Sequence, residues 1–241
     1  MAWTFSADEF AQLWRESGHD RLPFPIRVLE SPHTEDEASR LYENFDDRLL
    51  NDPDLAACLR ILAAPHARMV LVGGGHTPGT EVRLLACTVF DRAVLVTQEA
   101  GTRPDYGGRV QLSIGHSAGI GVRVAGCLPP TPPGREPARE AYADAVRDEE
   151  TVLAAHPAVP RIQRLLRRTH TAEGHIRIET GLDSPVAQPA VHYSWIDVAG
   201  DGRYLLRAGE TVHVVPTSTS QLAAQLQRKL APAHRSHRRS G

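Results

Sequence analysis

The chain has 241 residues, 27 basic against 29 acidic for a formal net charge of −2, with 41% hydrophobic and 23% charged positions. That balance belongs to an ordinary soluble globular chain and excludes a wholly disordered one, and near-neutrality argues against nucleic acid as the main partner. Three scattered cysteines without a CxxC fit a reducing cytoplasm, no apolar run reaches the roughly 20 residues of a bilayer span, and MAWTFSADEF does not read as a signal peptide.

The first helical signal runs from Thr4 to Gly18. Ser6 caps it, Glu9 completes a capping box, Phe5 staples onto Phe10 and Gly18 stops it. RLPFPIRV follows as an extended segment, because each proline disfavours helix in the residue before it. Thr34 and Glu37 form a second capping box, after which Ala38, Leu41, Tyr42, Phe45 and Leu49 fall on one helical stripe. Asp52-Pro53 opens a third helix with Leu55, Leu59 and Leu62 inward. The acidic stretch Glu35–Asp54 reads as a solvated helix face.

The pattern then changes to strands at Met69–Val72, Glu81–Val89, Arg92–Gln98 and Arg109–Ile114. Connections as short as Phe90-Asp91 require antiparallel neighbours. Ser117–Cys127 reads as a short helix weakened by Gly119, Gly121 and Gly126. Pro129 to Gly134 is a stiff linker, expected to join neither helix nor sheet. Beyond it the same order recurs: helices over 138–156 and 160–169, strands His175–Thr180, Val191–Val198, Arg203–Arg207 and Thr211–Val215, then a helix over 219–230 capped by Ser218 and Gln221.

The reading is therefore one α+β domain over residues 1–230. It consists of two pseudo-repeat halves, 1–128 and 135–230, joined by linker 129–134 and followed by a disordered basic tail at 231–241. The charges divide unevenly, with 12 basic and 17 acidic residues in 1–130 against 15 and 12 in 131–241.

One motif invites an enzymatic reading. Gly115-His116-Ser117-Ala118-Gly119 matches the GxSxG nucleophile elbow, with Gly73-Gly74-Gly75-His76 as an oxyanion loop and Asp183, Asp197, Asp201 and His213 downstream in triad order. Its setting is wrong, because an elbow needs a parallel sheet fed by crossover helices. The corresponding stretch of the second half, Pro216 to Ser220, is a plain helix N-cap, so Ser117 is read as a cap or turn residue and the serine hydrolase is kept as the alternative. The twelve histidines show no ligand spacing; His170 and His175 lack an i,i+4 relation, while His192 and His213 sit alone on strands.

Three blocks carry a family resemblance. WTFSADEFAQLWRESGHDRLPFPI at the start, GGRVQLSIGHSAGIGVRVAGCLP in the middle, and WIDVAGDGRYLLR with TVHVVPTSTSQLAAQLQRKL near the end resemble the EspG family of actinobacterial ESX (type VII) secretion. The resemblance implies a quasi-two-fold α/β fold with a central, mostly antiparallel sheet flanked by helical bundles. It also implies a cytosolic chaperone without catalytic site, cofactor or metal. Such a chaperone binds the helical tip of the PPE subunit in PE–PPE heterodimers, or a related helical ESX substrate, and keeps it soluble and export-competent. Lys229 is the single lysine, an arginine bias that an actinobacterial source would produce.

A chaperone interface needs apolar surface with aromatic and arginine anchors near its centre. Along the second strand of the second half, Tyr193, Trp195 and Asp197 share one face and His192, Ser194 and Ile196 the other. One face must carry the helices and the other is free for the client; Trp195 is read as core. The expected surface is the exposed sheet face, the loop Thr97–Gly108 and the C-terminal helix, with Arg103, Tyr106, Tyr193, Arg203, Tyr204, Gln225 and Arg228 as contact residues. A homodimer is left open.

Overall fold

A computed structural model describes residues 1–29, 34, 36, 51–102, 106–148, 157–186 and 188–230. The first half contains β1 (Ala2–Phe5), α1 (Ala7–Glu16), α2 (Pro53–Ala63), β2 (Ala67–Gly75), β3 (Glu81–Val89), β4 (Arg92–Ala100), β5 (Gly107–His116), a 3-10 turn (Ser117–Gly119) and α3 (Ile120–Ala125). The second contains β6 (Arg139–Tyr142), α4 (Ala143–Arg147), α5 (Val159–Leu166), β7 (His170–Thr180), β8 (Val191–Val198), β9 (Arg203–Ala208), β10 (Thr211–Pro216) and α6 (Thr219–Leu230). Apart from residues 34 and 36, the expected helix over Thr34–Leu49 lies outside the described residues, as do the later part of the one over 138–156 and the tail 231–241.

Local chemistry sets the helix starts. Ser6 Oγ accepts the Glu9 N–H at 3.2 Å while the Glu9 carboxylate accepts the Ser6 N–H at 2.6 Å, and Phe5 lies 6.4 Å from Phe10 between ring centroids. Asp52 caps α2 through the Asp54 and Leu55 N–H groups, and its carboxylate also accepts Trp3 Nε1–H at 3.1 Å. These bonds, that of Leu55 foremost, hold its pKa below the usual carboxylate value. At α6, Ser218 and Gln221 exchange the same reciprocal pair at 3.2 and 2.8 Å.

The ten strands form one antiparallel sheet in the order β1-β5-β4-β3-β2-β7-β8-β9-β10-β6. The second block of five repeats the first in reverse, and the two meet where β2 pairs β7. Strand alternation sends Met69, Leu71, Ile176 and Ile178 to one face, where α3 and α6 cover them. On the opposite face α1 and α2 cover Val70, Leu85, Val94, Val110 and Leu112, while α4 and α5 pack with Ile196, Val198, Tyr204 and Val214. No helix among the described residues is long and apolar enough to cross a membrane.

Glycine is required at two crossings. A side chain on Gly174 would reach within 2.7 Å of Trp195 Nε1, and one on Gly121 would meet the Ala223 carbonyl. The glycines that weaken α3 as a helix therefore let it cross α6 closely. There the Gln227 side chain accepts the Gly121 N–H at 3.0 Å and donates to the Ser117 carbonyl at 3.1 Å.

Two expectations are corrected, one at the sheet edges and one in the proline linker. Residues 2–5 and 139–142 are edge strands, where helix was read into Thr4 and into 138–142; β1 and β6 take their conformation from β5 and β10. The RLPFPIRV segment is anchored by Gln98, whose amide exchanges two 3.0 Å bonds with the Arg27 backbone. The proline linker also touches the sheet, with a bridge between Pro133 and Arg203. The Pro132 carbonyl accepts the Arg203 N–H at 2.8 Å and the Gly134 N–H donates to the Arg203 carbonyl at 3.0 Å. Prolines lack N–H groups but keep carbonyls, and those carbonyls make the contact.

Arg203 is the hub of this corner. Its guanidinium makes two 2.7 Å bonds to Asp197, donates to the Pro129 carbonyl at 2.8 Å and lies 5.3 Å from the Trp195 ring centroid. Both members of the ion pair are 1% exposed or less. Removing one leaves the other charged and buried, so Asp197→Ala lowers stability by about 3–5 kcal/mol, measured by urea denaturation.

Candidate partner-binding surface

The described helices cover only parts of the sheet. On the face carrying α1/α2 and α4/α5, the middle strands expose Glu173, His175 and Arg177 of β7 and His192 and Ser194 of β8, beside half-buried Val72 of β2. The alternate residues, Ala172, Ile176, Ile178, Tyr193 and Trp195, are buried beneath α3 and α6. An open groove of about 420 Å³ crosses this strip, lined by Val72, Gly73, Glu173, Gly174, His175, Ser194, Trp195 and Ile196.

The strip is polar and internally paired. Arg68 and Arg177 both reach Glu179, each at 2.7 Å, and His170 Nδ1 lies 2.8 Å from Glu173. His175 Nε2 and His192 Nδ1 are 3.0 Å apart with their rings stacked, so one imidazole donates to the other. Burial first, then the positive charge of His192 and Arg177, holds His175 below the ordinary histidine value of 6.5.

A second cavity, about 320 Å³, lies on the other face beside α6. It brings together Tyr193, Gln225 and Arg228 of the expected contact residues, with Leu205, Leu206, Arg207, His213, Val215 and Lys229.

The remaining expected contacts divide differently. Tyr106 is half-buried at the start of β5, and Arg103 lies outside the described residues. Arg203 and Tyr204 are 0% exposed and Tyr193 is 3%, so all three are core residues where sequence alternation suggested anchors. Tyr204 donates its hydroxyl proton to Asp201 and accepts the Glu136 N–H, each at 2.9 Å. The physical reason is that α6 packs over Tyr193, α4 and α5 pack over Tyr204, and the proline segment closes over Arg203. The His175–His192 pair was missed; its signal was the polar alternation of residues 173, 175 and 177 against 192 and 194.

The residues of the hydrolase alternative are held apart. Ser117 is buried, and its N–H donates to the Asp91 carbonyl at 2.7 Å. The cap role read for Ser117 belongs to its neighbour, since His116 Nδ1 accepts the Ala118 N–H. His213 sits on β10, seven strand positions from β5, with its ring nitrogens on Glu140 at 3.1 Å and Thr211 at 2.8 Å. Asp197 is bound to Arg203, and Asp201 to Arg168 at 2.6 Å. Gly73 and Gly74 are strand residues between β3 and β7 rather than an oxyanion loop. Among the described residues no group of three histidine, cysteine or acidic side chains is placed to hold a metal.

The model of the EspG family matches residues 6–228. No curated protein matches the chain. Among solved structures, the chain is similar to the Mycobacterium tuberculosis type VII secretion system chaperone EspG5 in complex with a PE25-PPE41 dimer. The TM-score is 0.59 over 97% of this chain and 96% of that one at 13% identity, a likeness of fold.

The strip has a pH signature. With His175 depressed, the unfolded chain binds a proton there at a pH where the folded chain does not. Its contribution is therefore full above about 6.5 and is lost as pH falls toward the folded value. The urea midpoint should drop between about pH 7.5 and about pH 5.5, and His175→Gln should make that drop smaller.

Proposed function

Because the chain belongs to the EspG family, we propose that it is a type VII secretion chaperone that binds the helical tip of the PPE subunit of a PE–PPE heterodimer. It keeps that client soluble and export-competent in the cytoplasm. The single observation that carries this reading is the family match over residues 6–228, and the shared fold with EspG5, whose solved complex contains PE25-PPE41, supports it. The two halves, 1–128 and 135–230, are part of the same proposal, a duplicated unit joined through linker 129–134.

The client face in this reading is the open strip of β2, β7 and β8. Strands lie about 4.8 Å apart, so the outer two axes are roughly 10 Å apart. An α-helix with its side chains is about 10–12 Å across. One client helix is therefore about as wide as the strip and in this reading lies over the groove at Val72, Ser194 and Ile196. Ser117 has no catalytic role in this reading.

Co-expression with the PE–PPE pairs of the same genome should give a soluble ternary complex with one of them by size exclusion. Absence of any such complex overturns the proposal. Ser194→Arg, which fills the groove from an exposed position, should weaken that complex about tenfold or more while the free protein unfolds at an unchanged midpoint. Folded protein should remain unlabelled by a fluorophosphonate probe; labelling at Ser117 would restore the hydrolase.

A further inference from the structure

The cavity beside α6 is unlike the client strip in both charge and construction. Its floor is apolar, built from Tyr193, Leu205 and Val215, and its rim is cationic, with Arg207 from β9 and Arg228 and Lys229 from α6. No carboxylate lines it among the described residues. Glu140 approaches from the edge strand β6 but is engaged by His213 at 3.1 Å. Arg207, Arg228 and Lys229 have no acidic partner among the described residues, in contrast to Arg68, Arg139, Arg168, Arg177 and Arg203.

The apolar surface continues outward from the cavity. Val215 is 43% exposed. Tyr142 on β6 is 73% exposed and shares the face of Glu140, opposite to buried Ala141. Strand β6 is also the last of the sheet, with no strand beyond it among the described residues. On the other half of the same face, the comparable cation beside α3 is consumed internally, because Arg123 binds Ser113 through its side chain and carbonyl. Among the described residues, the second half leaves a cationic rim without acidic partners around an apolar floor.

We propose that this shelf is a second docking site, which takes an acidic segment of a partner protein. Its carboxylates pair with Arg207, Arg228 and Lys229, and an apolar side chain covers Tyr193, Leu205 and Val215. Charge complementarity selects the occupant. Cations spread over two elements around an apolar floor suit a chain with acidic and apolar side chains better than a small anion, which calls for donors converging on one point. The sequence after Leu230 brings Arg235, Arg238 and Arg239 and no acid, so the tail supplies no counter-charge. The shelf lies on the opposite face from the strip of β2, β7 and β8, and the inference stands whether or not that strip holds a PE–PPE client.

The test is fluorescence anisotropy with the full chain and a short labelled peptide of glutamate, leucine and glycine, beside the same peptide with glutamine in place of glutamate. The acidic peptide should bind in a salt-sensitive manner, and the glutamine peptide should not. Arg228→Glu, Lys229→Glu and the milder Arg207→Gln change exposed or half-buried side chains. Each charge reversal should weaken binding about tenfold, with circular dichroism unchanged, while His192→Gln on the opposite face should leave it unaltered. Equal binding of the two peptides, no binding of the acidic one, or unchanged affinity in all three shelf variants overturns the proposal. Displacement of the peptide by inorganic phosphate where chloride at equal ionic strength has no effect also overturns it, in favour of a small-anion site.

Discussion

The pairing of β2 with β7 is the constraint on which the rest of the molecule depends. It runs from Ala67 opposite Thr180 to Gly75 opposite Ala172 and joins two five-strand blocks into one sheet. Because side chains alternate with period two, this one register fixes which residues of both strands face α3 and α6 and which face the open strip. A slip by one residue would turn Ile176 and Ile178 outward and bury His175 and Arg177. The pairing is possible at its closest point because Gly73 lies opposite Gly174, where a side chain on either would collide with the other strand's backbone. The polar strip and the apolar central core are thus two sides of the same alignment.

Much of the fold was legible because it is local. Capping pairs such as Ser6 with Glu9 and Ser218 with Gln221 act within a few residues, and both form as read. The eight longer strands and their antiparallel order followed from apolar runs and short turns. Conformations set at long range were not legible. Arg139–Tyr142 has no strong strand pattern of its own and becomes β6 because β10 offers it a ladder. The proline linker looked detached because sequence shows its missing donors and not the arginine that comes to its carbonyls.

The surface was legible in outline and less so by residue. Alternation correctly separated His192 and Ser194 from Tyr193 and Trp195, but it could not say which face a helix covers at each point. Arg203 and Tyr204 were chosen for residue type; their burial comes from Asp197, Trp195, Asp201 and Glu136, partners assembled by tertiary structure. The His175–His192 contact joins residues on adjacent strands, and the offset that creates it belongs to the β7–β8 register. GxSxG illustrates the opposite case, a correct local string in a sheet that keeps its supposed partners apart.

The seam between β2 and β7 also orders events in time. A ribosome delivers β1 to β5 well before β7, and β1-β5-β4-β3-β2 is complete as a five-strand block at that stage. Until β7 arrives, β2 is an outer strand with its ladder of N–H and C=O groups unpaired and apolar side chains on both of its faces. Such an edge accepts any strand that fits. The nascent molecule therefore passes through an interval in which another copy's β7 is as good a partner as its own. Intramolecular closure is favoured because β7 is tethered to the same chain as β2, which keeps the correct strand at high local concentration.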